Sequence, residues 1–208
     1  MANSPPLAAA GELVLPAAAR ALVIFAHGSG SSRFSSRNRF VAEVLQRDGF
    51  GTLLFDLLTA AEERRDRLDA SLRFNIPLLS RRLVEAIDWA SEQPALQGLA
   101  LGLFGASTGA AAALNAAVER PAAVRAVVSR GGRPDLAPEA LPQLHCPTLL
   151  IVGQCDQEVL QLNRQAAALM RAPHALALVP GASHLFEEAG TLAVAAQLAC
   201  DWFEQHLH

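Results

Sequence analysis

One stretch of the sequence indicates the fold most directly: Leu99-Ala100-Leu101-Gly102-Leu103-Phe104-Gly105-Ala106-Ser107-Thr108-Gly109-Ala110-Ala111-Ala112-Ala113-Leu114. Its apolar first part predicts a short buried strand, and its alanine-rich second part predicts a helix. Between them lies a GxSxG pentapeptide, whose glycines allow a turn too tight for side chains at positions 105 and 109. The stretch therefore predicts a nucleophile elbow that presents the Ser107 hydroxyl at the edge of a sheet.

A GxSxG pentapeptide also arises by chance in a chain rich in glycine, alanine and serine, where it is only a strand-to-helix turn. The surrounding sequence favours the functional interpretation, because a strand before and a helix after are the setting that the motif requires. The predicted helix also directs free N–H groups and the positive end of its dipole at Ser107, which favours anionic intermediates. We therefore predict that Ser107 is a nucleophile.

Composition limits the class of protein. The chain has 208 residues, of which 51% are hydrophobic and 18% charged, as expected for one globular domain with a large core. The net charge is −3 and no lysine is present, so no basic face for nucleic acid is expected. No window is long and apolar enough for a membrane helix, so we expect no membrane partner.

The cysteines and the N-terminal residues predict a compartment. The three cysteines include no CxxC pair, which predicts neither a disulfide framework nor a zinc site, and we expect no metal. Residues 1–11 contain no positive residue and no sustained apolar run, so they do not resemble a signal peptide. These features predict a cytoplasmic protein.

Apolar strands alternate with one-faced helices along the chain. Strands are predicted at 12–15, 22–26, 51–55, 99–104, 124–129, 148–152 and 176–179. The clearest helices are predicted from residue 37 or 38 to 49, from 71 to 94, from 160 to 170 and from 185 to 203. This alternation predicts an α/β fold with a mostly parallel central sheet and helices on both faces. We assign residues 1–11 to a flexible tail and residues 12–208 to a single domain.

A serine nucleophile needs a base to take its proton and a third group to orient that base. Asp156 follows the strand 148–152, and His184 follows the strand 176–179, so both lie at the sheet edge where ligands bind. The order Ser107, Asp156, His184 is the order in which α/β-hydrolases carry their triad. We predict these three residues as nucleophile, acid and base.

Each of these assignments has an alternative. Asp156 also precedes a helix, where it would serve only as an N-cap, and Asp135 is a rival acid because it follows the preceding strand. His184 has five competitors among the histidines, but their positions before strands, at a strand end or in the C-terminal tail suit a base less well.

The loop after the second predicted strand, His27-Gly28-Ser29-Gly30, is expected to complete an oxyanion hole. The backbone N–H of Ser29 would pair there with that of Thr108 on the developing negative oxygen. A glycine-rich phosphate cradle is the alternative for this loop. The loop lacks both GxGxxG spacing and a P-loop lysine, so no nucleotide cofactor is predicted.

Four motifs in this order, HGSG at 27–30, GASTG at 105–109, GQCD at 153–156 and GASH at 181–184, resemble the α/β-hydrolase superfamily. The compact chain is similar to its lidless dienelactone-hydrolase-related group. The resemblance implies a sheet of eight strands or slightly fewer, a Ser-His-Asp triad and no cofactor. Dienelactone hydrolases proper carry cysteine at the elbow, so the cleavage of dienelactone itself is not carried over to a chain with Ser107.

Arginines near the predicted strand ends are candidates for binding an anionic substrate group. Arg33 and Arg37 lie in the first loop, and Arg130 and Arg133 follow a later strand. Surface solvation is the commoner role for arginine. We name Arg33 and Arg130 as candidate substrate-binding residues, with Arg130 first because of its place at a strand end.

Together these features predict a serine hydrolase that cleaves a small carboxylic ester or thioester through an acyl-enzyme on Ser107, without a cofactor. No insertion of the size of a lid lies between residues 129 and 148, so we expect an open site. Two alternatives use the same fold: a binding or scaffold protein without catalysis, and an acyltransferase with the same triad.

Overall fold

The structure is a computed structural model that describes residues 7–208. Its centre is a seven-stranded sheet in the order β1-β3-β2-β4-β5-β6-β7. The strands are β1 (Glu12–Val14), β2 (Ala21–Ala26), β3 (Phe50–Leu54), β4 (Ala100–Ala106), β5 (Val124–Arg130), β6 (Thr148–Gly153) and β7 (His174–Val179). Only the pairing of β1 with β3 is antiparallel. The predicted α/β class with a mostly parallel sheet is confirmed.

Six α-helices cover the sheet: α1 (Ser36–Arg47), α2 (Ala60–Asp69), α3 (Ile76–Glu92), α4 (Thr108–Glu119), α5 (Gln157–Leu169) and α6 (Thr191–His206). Apolar side chains of α1 and α6 form one core with one face of the sheet, and those of α3 and α4 form a second core with the other face. Successive side chains of β2 point to opposite faces of the sheet: Ile24 packs in the core with α3 and α4, and Phe25 packs in the core with α1 and α6. Both faces of the sheet are therefore buried, which explains why its central strands are apolar throughout.

The predicted flexible tail differs from the structure in its second half. Residues 1–6 lie outside the described part of the chain, but Leu7–Ala10 form a short 3-10 helix. Ala8 is 2% exposed and packs in the core that contains α3. Small apolar side chains can be buried without a long periodic pattern, which is why the sequence pattern missed this segment.

The starts of two predicted helices differ from the predictions. The helix predicted from residue 71 begins at Ile76 as α3, and the charged residues before it form a separate helix, α2. Asp66 causes this break, because its carboxylate accepts the N–H groups of Leu72 and Arg73 and holds the chain in a turn. The last helix, α6, begins at Thr191 and not at 185, after a left-handed Gly190.

Two elbow glycines allow α4 to lie directly against the sheet. A Cβ atom on Gly109 would lie 2.2 Å from the carbonyl oxygen of Ala26 in β2, and one on Gly105 would lie 2.4 Å from the Cα of Ala110. Both neighbours are backbone atoms, which cannot move aside as a flexible side chain can. The start of α4 is thus held against the ends of β2 and β4, and this position determines where Ser107 lies.

No helix among residues 7–208 combines the length and apolar character needed to span a bilayer.

We expect Gly109→Ala to lower the free energy of unfolding by about 2 kcal/mol or more, because the added methyl group overpacks a rigid backbone contact. Urea denaturation followed by circular dichroism measures this change. Gly98→Ala is the control, since Gly98 has a positive φ of 84° but no atom within 4 Å of the added carbon. In that variant the free energy of unfolding should fall by only about 1 kcal/mol, because alanine is strained in a left-handed backbone conformation. Equal losses in the two variants would contradict close packing at the elbow.

Candidate active site

Ser107 lies at the tip of the turn between β4 and α4. Its backbone has φ 51° and ψ −121°, a conformation that residues other than glycine rarely adopt. Hydrogen bonds hold it there, because the Ser107 N–H donates to the carbonyl of Arg130 at 3.2 Å, and the N–H groups of Ala110 and Arg133 donate to the Ser107 carbonyl. A strained backbone that its surroundings maintain is typical of a functional site.

Two neighbouring loops bring His184 and Asp156 to this serine. His184 Nε2 lies 3.5 Å from Ser107 Oγ, and His184 Nδ1 lies 2.7 Å from Asp156 Oδ2. The carboxylate can only accept, so Nδ1 donates to Asp156, and Nε2 is left free to accept the serine proton. The serine contact is long, as catalytic hydrogen bonds often are without substrate. The three side chains are arranged as a nucleophile, a base and an orienting acid.

The structure also distinguishes the alternatives for the acid. Asp156 does occupy the N-cap position of α5, but its side chain makes no capping hydrogen bond and contacts His184 instead. Asp135 forms a bidentate ion pair with Arg133, at 2.8 and 2.7 Å, so its carboxylate is already engaged. Of these two carboxylates, Asp156 is the one that contacts His184.

The loop after β2 carries the predicted second oxyanion donor. Gly28 packs beside the nucleophile, since a Cβ atom there would lie 3.1 Å from that of Ser107, and Ser29 lines the same cavity. Thr108 is the first residue of α4. Within residues 7–208, neither the Ser29 N–H nor the Thr108 N–H has a backbone acceptor. The predicted oxyanion role requires N–H groups that are not engaged in this way, although Thr108 itself is not among the residues that line the cavity.

His27 holds this loop in place, a role that the sequence analysis missed. Its ring is buried; Nε2 accepts the N–H of Leu57 at 3.0 Å and Nδ1 donates to the Gly28 carbonyl at 3.0 Å. Burial lowers the pKa of His27, which favours the neutral ring that this pattern requires. The Gly28–Ser29 peptide is trans, so fixing its carbonyl also fixes the opposite direction of the Ser29 N–H. Only the three-dimensional contact with Leu57, 30 positions away, reveals the role.

A cavity of about 240 Å³ opens beside Ser107 and His184. Arg130 lines it and is 6% exposed, and its guanidinium lies 5.5 Å from the centre of the Phe186 ring. Burial, with a smaller effect from the charge of Arg37, lowers the pKa of Arg130 to about 10. The group still carries its charge at neutral pH. The structure thus brings one predicted substrate-binding arginine to the nucleophile.

Arg33, the other predicted substrate-binding residue, lies elsewhere. Its guanidinium forms an ion pair with Asp56, and its backbone N–H donates to the same carboxylate at 2.7 Å. The guanidinium also stacks on the ring of Phe34 at 4.4 Å, and Arg33 is not among the residues that line the cavity of Ser107. Because Asp56 follows β3, Arg33 fastens the first loop to the neighbouring strand.

Within residues 7–208, no three His, Cys, Asp or Glu side chains are grouped closely enough to hold a metal ion. Cys155 is exposed next to Asp156, and the other two cysteines are buried away from the site.

The sheet and its helices have the α/β-hydrolase fold. A family model described as "Dienelactone hydrolase family" matches residues 10–207, and the chain belongs to that family. A crystal structure of a dienelactone hydrolase from Anabaena variabilis is 56% identical, with a TM-score of 0.94, over 95% of this chain and 92% of that one. The esterase domain of a Rhodothermus marinus protein, at 21% identity and TM-score 0.69, covers 94% of this chain and 92% of its own and shows the fold alone.

A longer relative from Mycobacterium tuberculosis is provisionally named a phosphoribosyl transferase. It is 56% identical over 202 residues, which are 97% of this chain and 45% of that protein. The chain thus spans less than half the length of the curated relatives that it matches.

We expect Asp156→Asn to lower kcat for an ester substrate by about 10⁴-fold, because the imidazole would lose the partner that fixes its tautomer. Steady-state kinetics with p-nitrophenyl acetate measures this. Asp135→Asn is the matched control and is expected to leave kcat nearly unchanged, because the Asp135 carboxylate pairs with Arg133 and does not contact His184. A larger loss in the Asp135 variant would assign the acid to the other carboxylate.

Proposed function

We propose that this chain is a serine hydrolase that cleaves a small carboxylic ester or thioester through an acyl-enzyme on Ser107. The observation that carries this proposal is the alignment of Ser107, His184 and Asp156, with the serine held at a positive φ. Membership in a hydrolase family supports it. The 240 Å³ cavity suits a small-molecule acyl substrate, which we propose as the partner.

In the first half of the reaction, Ser107 Oγ attacks the carbonyl carbon of the substrate while His184 Nε2 takes its proton. The carbonyl oxygen becomes an anion that accepts hydrogen bonds from the Ser29 and Thr108 N–H groups. Asp156 keeps Nδ1–H in place and stabilises the imidazolium. The intermediate collapses when His184 returns the proton to the leaving alcohol or thiol, and the acyl group stays on Ser107.

In the second half, water replaces the leaving group. His184 Nε2 takes a proton from the water as its oxygen attacks the acyl carbon, and the same two N–H groups hold the new oxyanion. Return of the proton to Ser107 Oγ releases the carboxylic acid. Each group thus acts twice in one orientation, so no conformational rearrangement of the site is needed.

Three other functions have less support. Phosphoribosyl transfer is not proposed, because the residues at this site suit acyl transfer and the chain spans only part of the relatives with that name. A scaffold without catalysis would not require three chemically competent side chains in one hydrogen-bonded line. An acyltransferase would use the same residues, and product analysis with added alcohols or amines distinguishes it from a hydrolase by the share of acyl group that they capture.

We expect Ser107→Ala to lower kcat for p-nitrophenyl acetate by at least about 10⁴-fold, because the covalent route is lost. A fluorophosphonate probe should label the native chain on Ser107 and leave the variant unlabelled, as intact-mass and peptide mass spectrometry would show.

Ser91→Ala is the matched control, since Ser91 is exposed on α3 at the opposite end of the sheet from the elbow. It should retain both turnover and labelling. Turnover by the Ser107 variant at the native rate would contradict the proposal, and a native chain that is folded but never labelled would favour the scaffold.

A further inference from the structure

Arg130, the last residue of β5, is a buried cation at the cavity wall and is 6% exposed. Among residues 7–208 it has no carboxylate partner, and its one side-chain hydrogen bond is donated by Nη2 to Asn38 Oδ1 at 3.4 Å. Its Nε has no hydrogen-bond partner in the same part of the chain. A buried charge is costly unless it is paired, and an amide oxygen does not neutralise it. An anion that enters the cavity would neutralise the charge of this guanidinium, so binding of an anion is favoured there.

A second positive charge faces the same space. Arg37 lines the cavity, and its charge is close enough to lower the pKa of Arg130. Arg37 does contact Glu187 at 3.3 Å, but the Glu187 side chain is 64% exposed, so this pair is weak and screened by solvent. Two cations that repel each other across a cavity become favourable neighbours when one anion binds between them.

The N-terminus of α1 lies at the same wall. This helix has 12 residues, and Ser35, Arg37 and Asn38 from its cap and first turn line the cavity. The Ser35 side chain and carbonyl engage the N–H groups of Asn38 and Arg39. The N–H groups of Ser36 and Arg37 have no backbone acceptor among residues 7–208. Free N–H groups and the helix dipole favour negative charge at this point.

The number of donors indicates the kind of anion. One guanidinium fork satisfies a carboxylate, whereas this cavity offers two guanidinium groups, a helix N-terminus and the hydroxyl groups of Ser29, Ser31 and Ser35. A phosphate monoester carries up to two negative charges and three terminal oxygens, so it matches two cations and several further donors. Its position beside Ser107 places the phosphate on the substrate itself.

We propose that the cavity formed by Arg130, Arg37 and the N-terminus of α1 binds a phosphate monoester group, so that the substrates are phosphorylated esters or thioesters. The ester or thioester part of this inference rests on the proposed function of Ser107. The phosphate-binding part does not. The phosphate occupies the cavity while the ester carbonyl lies between Ser107 and the oxyanion donors.

Binding is tested first without turnover. In Ser107→Ala, calorimetric titration with methyl phosphate should show one site, with binding at least tenfold tighter than that of acetate or succinate. Adding Arg130→Met should weaken methyl phosphate binding by at least tenfold, equal to about 1.4 kcal/mol. Arg125→Met is the matched control, because Arg125 is the exposed arginine at the other end of β5. It should leave the affinity within twofold.

Selectivity is tested next with the active enzyme. 2-Acetoxyethyl phosphate should have a kcat/KM at least tenfold above that of ethylene glycol monoacetate, its uncharged analogue. Arg130→Met should lower this ratio at least tenfold, and Arg37→Met should lower it in the same direction if the first variant does not fold. A ratio near one in the native enzyme would overturn the inference.

The two experiments separate this inference from the proposed function. Methyl phosphate binding in the Ser107 variant together with no ester turnover by the native chain would support the phosphate site and contradict the hydrolase. Ester turnover without measurable phosphate binding would do the reverse. Tighter binding of succinate or acetate than of methyl phosphate would assign the cavity to carboxylates and overturn the proposal that it binds a phosphate monoester.

Discussion

The structure depends on one close contact, where the start of α4 lies against the carbonyl oxygens at the end of β2. Gly109 permits this contact, because any side chain there would overlap the oxygen of Ala26. The contact forces a sharp turn and leaves Ser107 at φ 51°. The Ser107 N–H donates to the carbonyl of Arg130 at the end of β5, and the Arg133 N–H donates to the Ser107 carbonyl, so the elbow is connected to the wall of the cavity. Packing of the elbow and arrangement of the site are therefore one constraint.

The pairing of charges distinguishes structural arginines from the one that faces the site. Several arginines form ion pairs with aspartates, either between elements or within one loop: Arg33 with Asp56, Arg73 with Asp66, Arg120 with Asp88 and Arg133 with Asp135. Arg130 is more buried than these, and its side-chain hydrogen bond within residues 7–208 is to the amide oxygen of Asn38. Buried charges are usually paired with an opposite charge. An exception to this pairing beside a nucleophile is typical of a functional site.

Sequence patterns predicted the elements whose signal is local. Apolar runs identified the strands, and helical spacing identified the buried stripe of α3, because period and burial are linked wherever an element has one apolar face. The start of α3 was predicted five residues too early, since the turn at Asp66 depends on hydrogen bonds to residues six and seven positions further on. The short helix at Leu7–Ala10 was missed because alanine carries little periodic signal.

The sequence by itself determined the α/β class, the order of the motifs and the chemical types at positions 107, 156 and 184, because these are properties of single segments. Tertiary structure decided which groups meet. It brought the His27 ring to the Gly28 carbonyl, paired Arg33 with Asp56, and placed Arg130 beside Ser107 with the amide oxygen of Asn38 as its hydrogen-bond acceptor. The physical reason is that hydrogen bonds and ion pairs act over a few ångströms, and only folding brings side chains from distant segments within that range.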